Sequence, residues 1–212
     1  MSVSDAALPR AEHAVRVIAQ AAVDNEKYFC DLDAVAGDGD AGYSLARGFE
    51  LLLEDWDSLE YSDPGGLLKR TAIVLSKRIG GSSGPIWSTA FLRAGNTLGS
   101  NPEPSGAEVV AALRASIEGI KQRGGANLGD KTLLDALVPA VDELESALAA
   151  GDDVKAALTR AATKAREAAE ATKGMIAKKG RAAYTGDRSI DSVDAGAMVV
   201  ATMFDAVAAN WR

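Results

Sequence analysis

One cysteine and one histidine in 212 residues remove several kinds of chemistry at the outset. Cys30 has no second thiol in the chain to pair with, so nothing points to an oxidising compartment. A buried structural thiol is its first reading, and a reactive or metal-binding thiol its second. His13 falls in an expected first helix, far in sequence from every glycine-rich stretch. It reads as a surface or capping residue, which leaves little basis for a histidine triad or a zinc centre. No apolar run approaches the ~18 residues of a membrane span, and the start MSVSDAALPRAEH has no basic segment followed by an apolar one. Neither a membrane partner nor a cleaved leader is expected, and the cytoplasm follows by elimination. Sustained alternation of Val, Ile and Thr is missing, which argues against strands. GxxxxGK[ST] is also missing, so any nucleotide is held by something other than a P-loop.

Acid and alanine are abundant instead. Thirty Asp and Glu against 23 Lys and Arg give a net charge of -7, which favours solubility and disfavours broad attraction to DNA, RNA or anionic lipid. A local basic patch remains able to hold phosphate. With 47% hydrophobic and 25% charged residues, the chain can bury roughly two-thirds of its unfolded surface, and residues 1–212 read as one domain.

Apolar spacings of three and four dominate the long segments, which predicts helices. The first is expected over about 6–27, with Ala14, Val17, Ile18, Ala21 and Ala22 as its buried stripe. The second runs from Tyr43 to about Glu54. Asp63-Pro64 supplies an N-cap and a proline at N1 for a third, ending near Ile79. Pro85 opens a fourth to about Leu98, and Ser105 with Glu108 forms a capping box for a fifth. The remaining helices are expected at about 132–148, from Gly151-Asp152-Asp153 to about Ala177, and at about 196–210. Eight helices result, with no internal repeat.

Four irregular stretches break the pattern with glycine beside Ser, Asp, Lys or Arg. Helical packing needs only short turns, so elaborate loops suggest binding. The first holds Asp31, Asp33, Asp38 and Asp40. Converging carboxylates repel one another, and a divalent cation relieves that repulsion; oxygen ligands suit Mg2+. Taken alone, the string reads equally as an acidic solvated loop or as a metal site, with acid/base catalysis a third option. An EF-hand fails, because a loop beginning at Asp31 would put Gly42 where the closing glutamate is required. In the second stretch, GGSSG at 80–84 offers consecutive N–H groups and the hydroxyls of Ser82 and Ser83 before a helix start. It is either an anion cradle or a plain turn. The third is GGANLGDK, where Asp130 can cap the next helix. The fourth contains Lys178, Lys179, Arg181 and Arg188. Arg181 suits bidentate phosphate binding, and a solvated basic loop is the alternative.

The strings LDAVAGDGDAG, GGSSGPIWSTAFLRAG, GDKTLLDALVPA and KKGRAAYTGDRSIDSVDAGA, in that order over nearly the whole chain, resemble the L subunit of dihydroxyacetone kinase. The resemblance implies an all-α fold, an eight-helix antiparallel up-and-down bundle closed into a barrel with nucleotide at one end. It implies Asp33, Asp38 and Asp40 as ligands of two Mg2+, which demotes Asp31. It implies contacts to ADP or ATP from Ala41, Gly42, Tyr43, Ser44, Ser82, Ser83, Gly124, Leu133, Arg181, Asp194, Ala195 and Gly196. Asp33, Asp38, Asp40 and Arg181 would carry the transfer.

The implied partners are a K subunit that holds the ketose covalently and, where ADP is rephosphorylated in place, a phosphocarrier subunit of the sugar phosphotransferase system. A homodimer is left open. Two departures stand out: Ala41 replaces the histidine of the family's GDGDHG, and Ala195 replaces a frequent proline. Retained nucleotide binding with altered affinity or substrate range is expected. The alternatives are a nucleotide-loaded regulatory or docking subunit without turnover, and a Mg2+-dependent phosphatase.

Overall fold

Helix starts are written locally in this chain. Asp63, extended at φ -153°, accepts the Gly66 N–H at 2.7 Å, and Pro64 at N1 lacks the N–H that would otherwise go unmet. Ser105 and Glu108 exchange both bonds of a capping box, at 2.8 and 3.3 Å. Asp153 accepts from Ala156 at 2.9 Å. The first helix instead borrows its cap, its Ala7 N–H meeting the Glu103 carboxylate at 3.2 and 3.3 Å.

The computed structural model describes residues 6–211, which form helices and turns and no strand. The expectation of no leader rests partly on residues 1–5, which lie outside the described residues. Among the described residues there are nine α-helices. They are α1 Ala7–Asp24, α2 Glu26–Asp33, α3 Ala41–Glu54, α4 Pro64–Arg78, α5 Ser83–Leu98, α6 Gly106–Gly124, α7 Leu134–Ala149, α8 Val154–Ala171 and α9 Ala195–Asn210. Turns of 3-10 helix occupy Trp56–Ser58, Thr172–Gly174 and Arg181–Ser189. No helix among the described residues is long and apolar enough to cross a membrane.

The count exceeds the expected eight because the first helix breaks at Asn25. That residue leaves the helical region at φ -106°, ψ 16° and turns its side chain back to the Ala21 carbonyl at 2.8 Å. A fully buried Phe29 then anchors α2, so the chain stays helical through Asp33, past the expected end near residue 27. The buried stripe of α1 is Val15, Ala19, Ala21 and Ala22, rotated from the expected one; Ala14 and Val17 are half-buried. α8 stops at Ala171 rather than Ala177, because Thr172 is drawn wholly inside and its hydroxyl accepts the Asp194 N–H at 2.8 Å.

One core gathers Val15 and Ala19 of α1, Phe29 of α2, Phe49 and Leu52 of α3, and Leu67 and Leu75 of α4, with Met203 of α9. Each of the Val, Leu, Phe and Met side chains contributes about 1.5–3 kcal/mol, and the Ala19 methyl less. Toward the other side, alanines 136, 140, 165, 169, 197 and 201 let α7, α8 and α9 approach closely. α1 and α3 to α9 each pack on the next in that order, and α1 also packs on α9.

Short connections make successive packed helices antiparallel, and the longer 172–194 loop joins the same end as 34–40 and 125–133 through Arg181 to Asp38 and Lys178 to Gly129. The connections therefore alternate between the two ends. Residues 34–40, 79–82, 125–133 and 172–194 fall at one end, and they contain the four glycine-rich stretches.

Candidate functional site

The acidic string owes its shape to two glycines and one carboxylate. Asp33 closes α2, and its Oδ2 accepts the Gly39 N–H at 2.9 Å, which folds the loop back over the helix end. Gly39 sits at φ +76°, a conformation costly for any side chain. A Cβ on Gly42 would collide with the Glu26 carbonyl and stand 2.7 Å from the Cys30 amide, so α3 can start against α2 only with glycine there.

Carboxylate oxygens of Asp33, Asp38 and Asp40 consequently lie within 4.8 Å of one another. Asp33 is half-buried, and Asp38 and Asp40 are exposed. Asp31 points elsewhere and pairs with Lys27 at 2.6 Å. An all-oxygen set of this kind fits a hard divalent cation such as Mg2+.

Ala41, Gly42, Tyr43 and Ser44 form the first turn of α3 directly after the acids. Ser44 donates its N–H to the Asp40 carbonyl, and Tyr43 donates to Cys30 Sγ at 3.2 Å. Cys30 is half-buried and serves as that acceptor. Ala41 and Gly42 take the first two positions of α3, where helix geometry leaves N–H groups without an intrahelical acceptor, in the positive field of the helix N-terminus; Gly42 itself is buried against α2. Ser82 and Ser83 open α5, two residues earlier than Pro85 had suggested, with Ser82 exposed. Gly124 ends α6 beside Ile86 of α5, where an added Cβ would lie 3.1 Å from Cδ1. Leu133 lies at the start of α7, next to Gly196 in the first turn of α9.

The loop 172–194 brings the positive charge. Arg181 forms an ion pair with Asp38 and a longer one, 3.9 Å, with Asp40. Guanidinium and carboxylates far apart in sequence thus meet at one spot. Lys178 is engaged, donating to the Gly129 carbonyl at 3.0 Å and lying 3.6 Å from Asp130. Asp130 does not cap α7 as expected. It accepts the Asn127 N–H at 2.8 Å, and Thr132 Oγ1 meets the Leu134 N–H at 3.2 Å. His13 does cap, with its Nε2 2.8 Å from the Asn210 carbonyl at the far end of α9.

Asp194 caps α9 by accepting the Ala197 N–H at 2.7 Å, with Ala195 and Gly196 as the first helical residues. Burial pushes its carboxyl up to about 7; the Ala197 N–H and Lys131 pull it down, and the negative charges of Asp135 and Asp33 push it further up.

Three buried groups escaped the sequence reading. Asp135 accepts the N–H groups of Gly129 at 2.5 Å and Thr132 at 2.7 Å, shaping the α6–α7 joint. Lys131 is 2% exposed and donates to backbone carbonyls of the 172–194 loop. Thr172 ties the end of α8 to the start of α9. The available signal was a lysine in an acidic protein immediately before an apolar run.

A family profile described as DAK2 domain matches residues 35–209. The chain is 36% identical over 182 residues to the "PEP-dependent dihydroxyacetone kinase, ADP-binding subunit DhaL" of Escherichia coli, covering 86% of this chain and 87% of that one. It is also 36% identical over 180 residues to the "L-erythrulose kinase" of Pectobacterium atrosepticum, covering 84% of this chain and 30% of that longer protein. A crystal structure of the dihydroxyacetone kinase from C. freundii in complex with AMP-PNP and Mg2+ superposes with a TM-score of 0.71 at 28% identity. The match covers 93% of this chain, which spans only 33% of that one.

Proposed function

We propose the function from one premise: this chain belongs to the DAK2 domain family. It is the nucleotide-binding phosphotransfer subunit of a kinase for dihydroxyacetone or a related small ketose, and it works with a separate K subunit that holds the sugar. The E. coli relative is named as an ADP-binding subunit, and the C. freundii kinase was crystallised with AMP-PNP and Mg2+. The observation in this chain that carries the reading is Arg181 seated on Asp38 and Asp40, at the end of the molecule where all four glycine-rich stretches emerge. We assign the eight long helices, α1 and α3 to α9, to a closed antiparallel barrel, supported by the packing of α1 on α9.

Asp33, Asp38 and Asp40 would hold two Mg2+. Bound there, Mg2+ supplies neutralisation and orientation of phosphate oxygens. The Ala41 and Gly42 N–H groups and the Ser82 and Ser83 hydroxyls donate to the phosphates. Leu133, beside Gly196, offers an apolar face to adenine, with Gly124 and Ala195 as further contacts to the nucleotide. Arg181 neutralises the carboxylates before ions arrive and turns its donor fork to a phosphate afterwards, meeting charge that develops in transfer. The hydroxyl of the ketose is activated by the K subunit. Donation follows either from exchanging ATP or from ADP rephosphorylated in place by a phosphocarrier subunit.

The test is a coupled assay of this chain with its K partner on dihydroxyacetone and on four-carbon ketoses, with ATP and a phosphocarrier supplied separately. Asp38→Asn should lower turnover at least a hundredfold with either donor. Turnover that survives the substitution, or partner-dependent output without Mg2+, would sink the assignment.

A further inference from the structure

Lys131 stands where a lysine is expensive twice over. Its backbone is left-handed at φ +60°, a conformation that glycine adopts freely and other residues adopt at a cost. Its side chain is 2% exposed, and a buried ammonium must be matched by acceptors or it destabilises the fold. The acceptors are present: the carbonyls of Met175 at 3.1 Å, Ser192 at 2.8 Å and Ser189. Three N–H donors meet three oxygens, the full capacity of the group. Met175 lies before the excursion 176–188, and Ser189 and Ser192 lie after it. One ammonium therefore draws both feet of that excursion together and fastens them to the α6–α7 joint. Other bonds reinforce the closure: Ala177 N–H to Ser189 Oγ at 3.0 Å, Asp191 N–H to the Lys173 carbonyl at 3.0 Å, Asp194 N–H to Thr172 Oγ1 at 2.8 Å, and Lys178 through its N–H to the Asp130 carbonyl and its ammonium to the Gly129 carbonyl, both at 3.0 Å. Lys131 alone touches both feet and the joint at once. The excursion carries Arg181 to the acidic cluster, while its own tip is open, Tyr184 being 93% exposed.

We propose that Lys131 is a positioning residue: by clasping the three carbonyls at the feet of the 176–188 excursion, it holds Arg181 over Asp38 and Asp40 and so sets the fraction of molecules ready to bind nucleotide. The effect on nucleotide rests on the phosphotransfer reading; the clasp itself does not. Loss of the clasp acts on binding through that competent fraction, and saturating nucleotide restores it. The signature is accordingly a raised KM for nucleotide with kcat kept. General destabilisation would instead lower the active amount at unchanged KM.

The experiment compares wild type with Lys131→Met and Lys131→Gly, the second of which relieves the left-handed backbone while removing the ammonium. Trypsin, without nucleotide, reads the excursion through Lys178, Lys179, Arg181 and Arg188. Cleavage there should quicken at least tenfold in both variants while the helices stay intact. With the K partner present, the KM for Mg-ATP should rise at least tenfold, with kcat within about twofold of wild type. Unchanged cleavage, or a fall in kcat at constant KM, overturns the proposal. If neither variant folds, acylation of wild-type lysines decides: Lys131 should react at least a hundredfold more slowly than Lys179, and equal reaction refutes the clasp. Failure of wild type to bind Mg-ADP would sink the phosphotransfer reading and leave the proteolysis result to decide the clasp alone.

Discussion

Asp194 accepts the Ala197 N–H through Oδ1 and donates its own N–H to Thr172 Oγ1, so it joins the 172–194 loop to α9. Its carboxyl is pushed up to about 7 by burial and by Asp135 and Asp33, although an ordinary aspartate stands at 3.8. In the window between those values the native state holds a proton that the unfolded chain has released. Stability from this group is therefore fully present only below the unfolded value of 3.8 and is lost as pH rises through about 7. An asparagine can still accept the Ala197 N–H and has no charge to bury. Asp194→Asn should thus match wild type near pH 3 and gain on it by on the order of 4 kcal/mol by pH 8. Urea unfolding of the nucleotide-free proteins at both pH values measures that difference, and a gap that does not change with pH would show the carboxyl to be unshifted. The same variant tests whether the capping role or the charge matters for nucleotide affinity.

At the scale of elements, Ser105→Ala removes one half of the reciprocal cap that starts α6 and leaves the Glu108 N–H without its acceptor. A loss of about 1 kcal/mol is expected, or roughly 2–4 °C of Tm for a chain of this size, read by thermal unfolding; an unchanged Tm would show that α6 is held by packing alone. Elements of this kind were legible because their signals are local: Asp63-Pro64 and Ser105 with Glu108 start their helices where the residues say. The acidic stretch was legible for the same reason, but its residues alone offered Asp31 as a fourth member, which the family resemblance removed; Asp33 ends α2, and the Gly39 amide folds the following loop back so that Asp38 and Asp40 meet it. The misread boundaries are those decided by distant partners. Thr172 ends α8 because it bonds to Asp194, and Asn25 splits the first helix because Phe29 must reach the core. Lys131 went unnoticed for that reason too, as its acceptors lie 44 to 61 residues away. Arg181 suggested phosphate through its chemistry, but only the fold brings it to Asp38 and Asp40.

At the scale of the whole molecule, the alternation of helix direction sorts the connections into two sets. One end receives 34–40, 79–82, 125–133 and 172–194; the other receives 55–63, 99–105 and 150–153. The second set has capping work to do, as Glu103 on Ala7 and Asp153 on Ala156 show. Division of labour between the ends makes the molecule's response to ligand spatially specific. Mg-ADP at about a hundred times its Kd should add ~2.7 kcal/mol, a Tm rise of roughly 5–11 °C, and a chelator should reverse it. Hydrogen exchange should slow in all four connections of the first end, including the amides of Ala41 and Gly42, and stay constant in the three of the second. Protection confined to 34–44 would instead describe a metal loop without a nucleotide site, because α5, α7 and α9 contribute only if a phosphate and a base extend across the mouth. Protection at both ends would describe general tightening of the bundle, and neither outcome is compatible with phosphotransfer from a nucleotide held at one end.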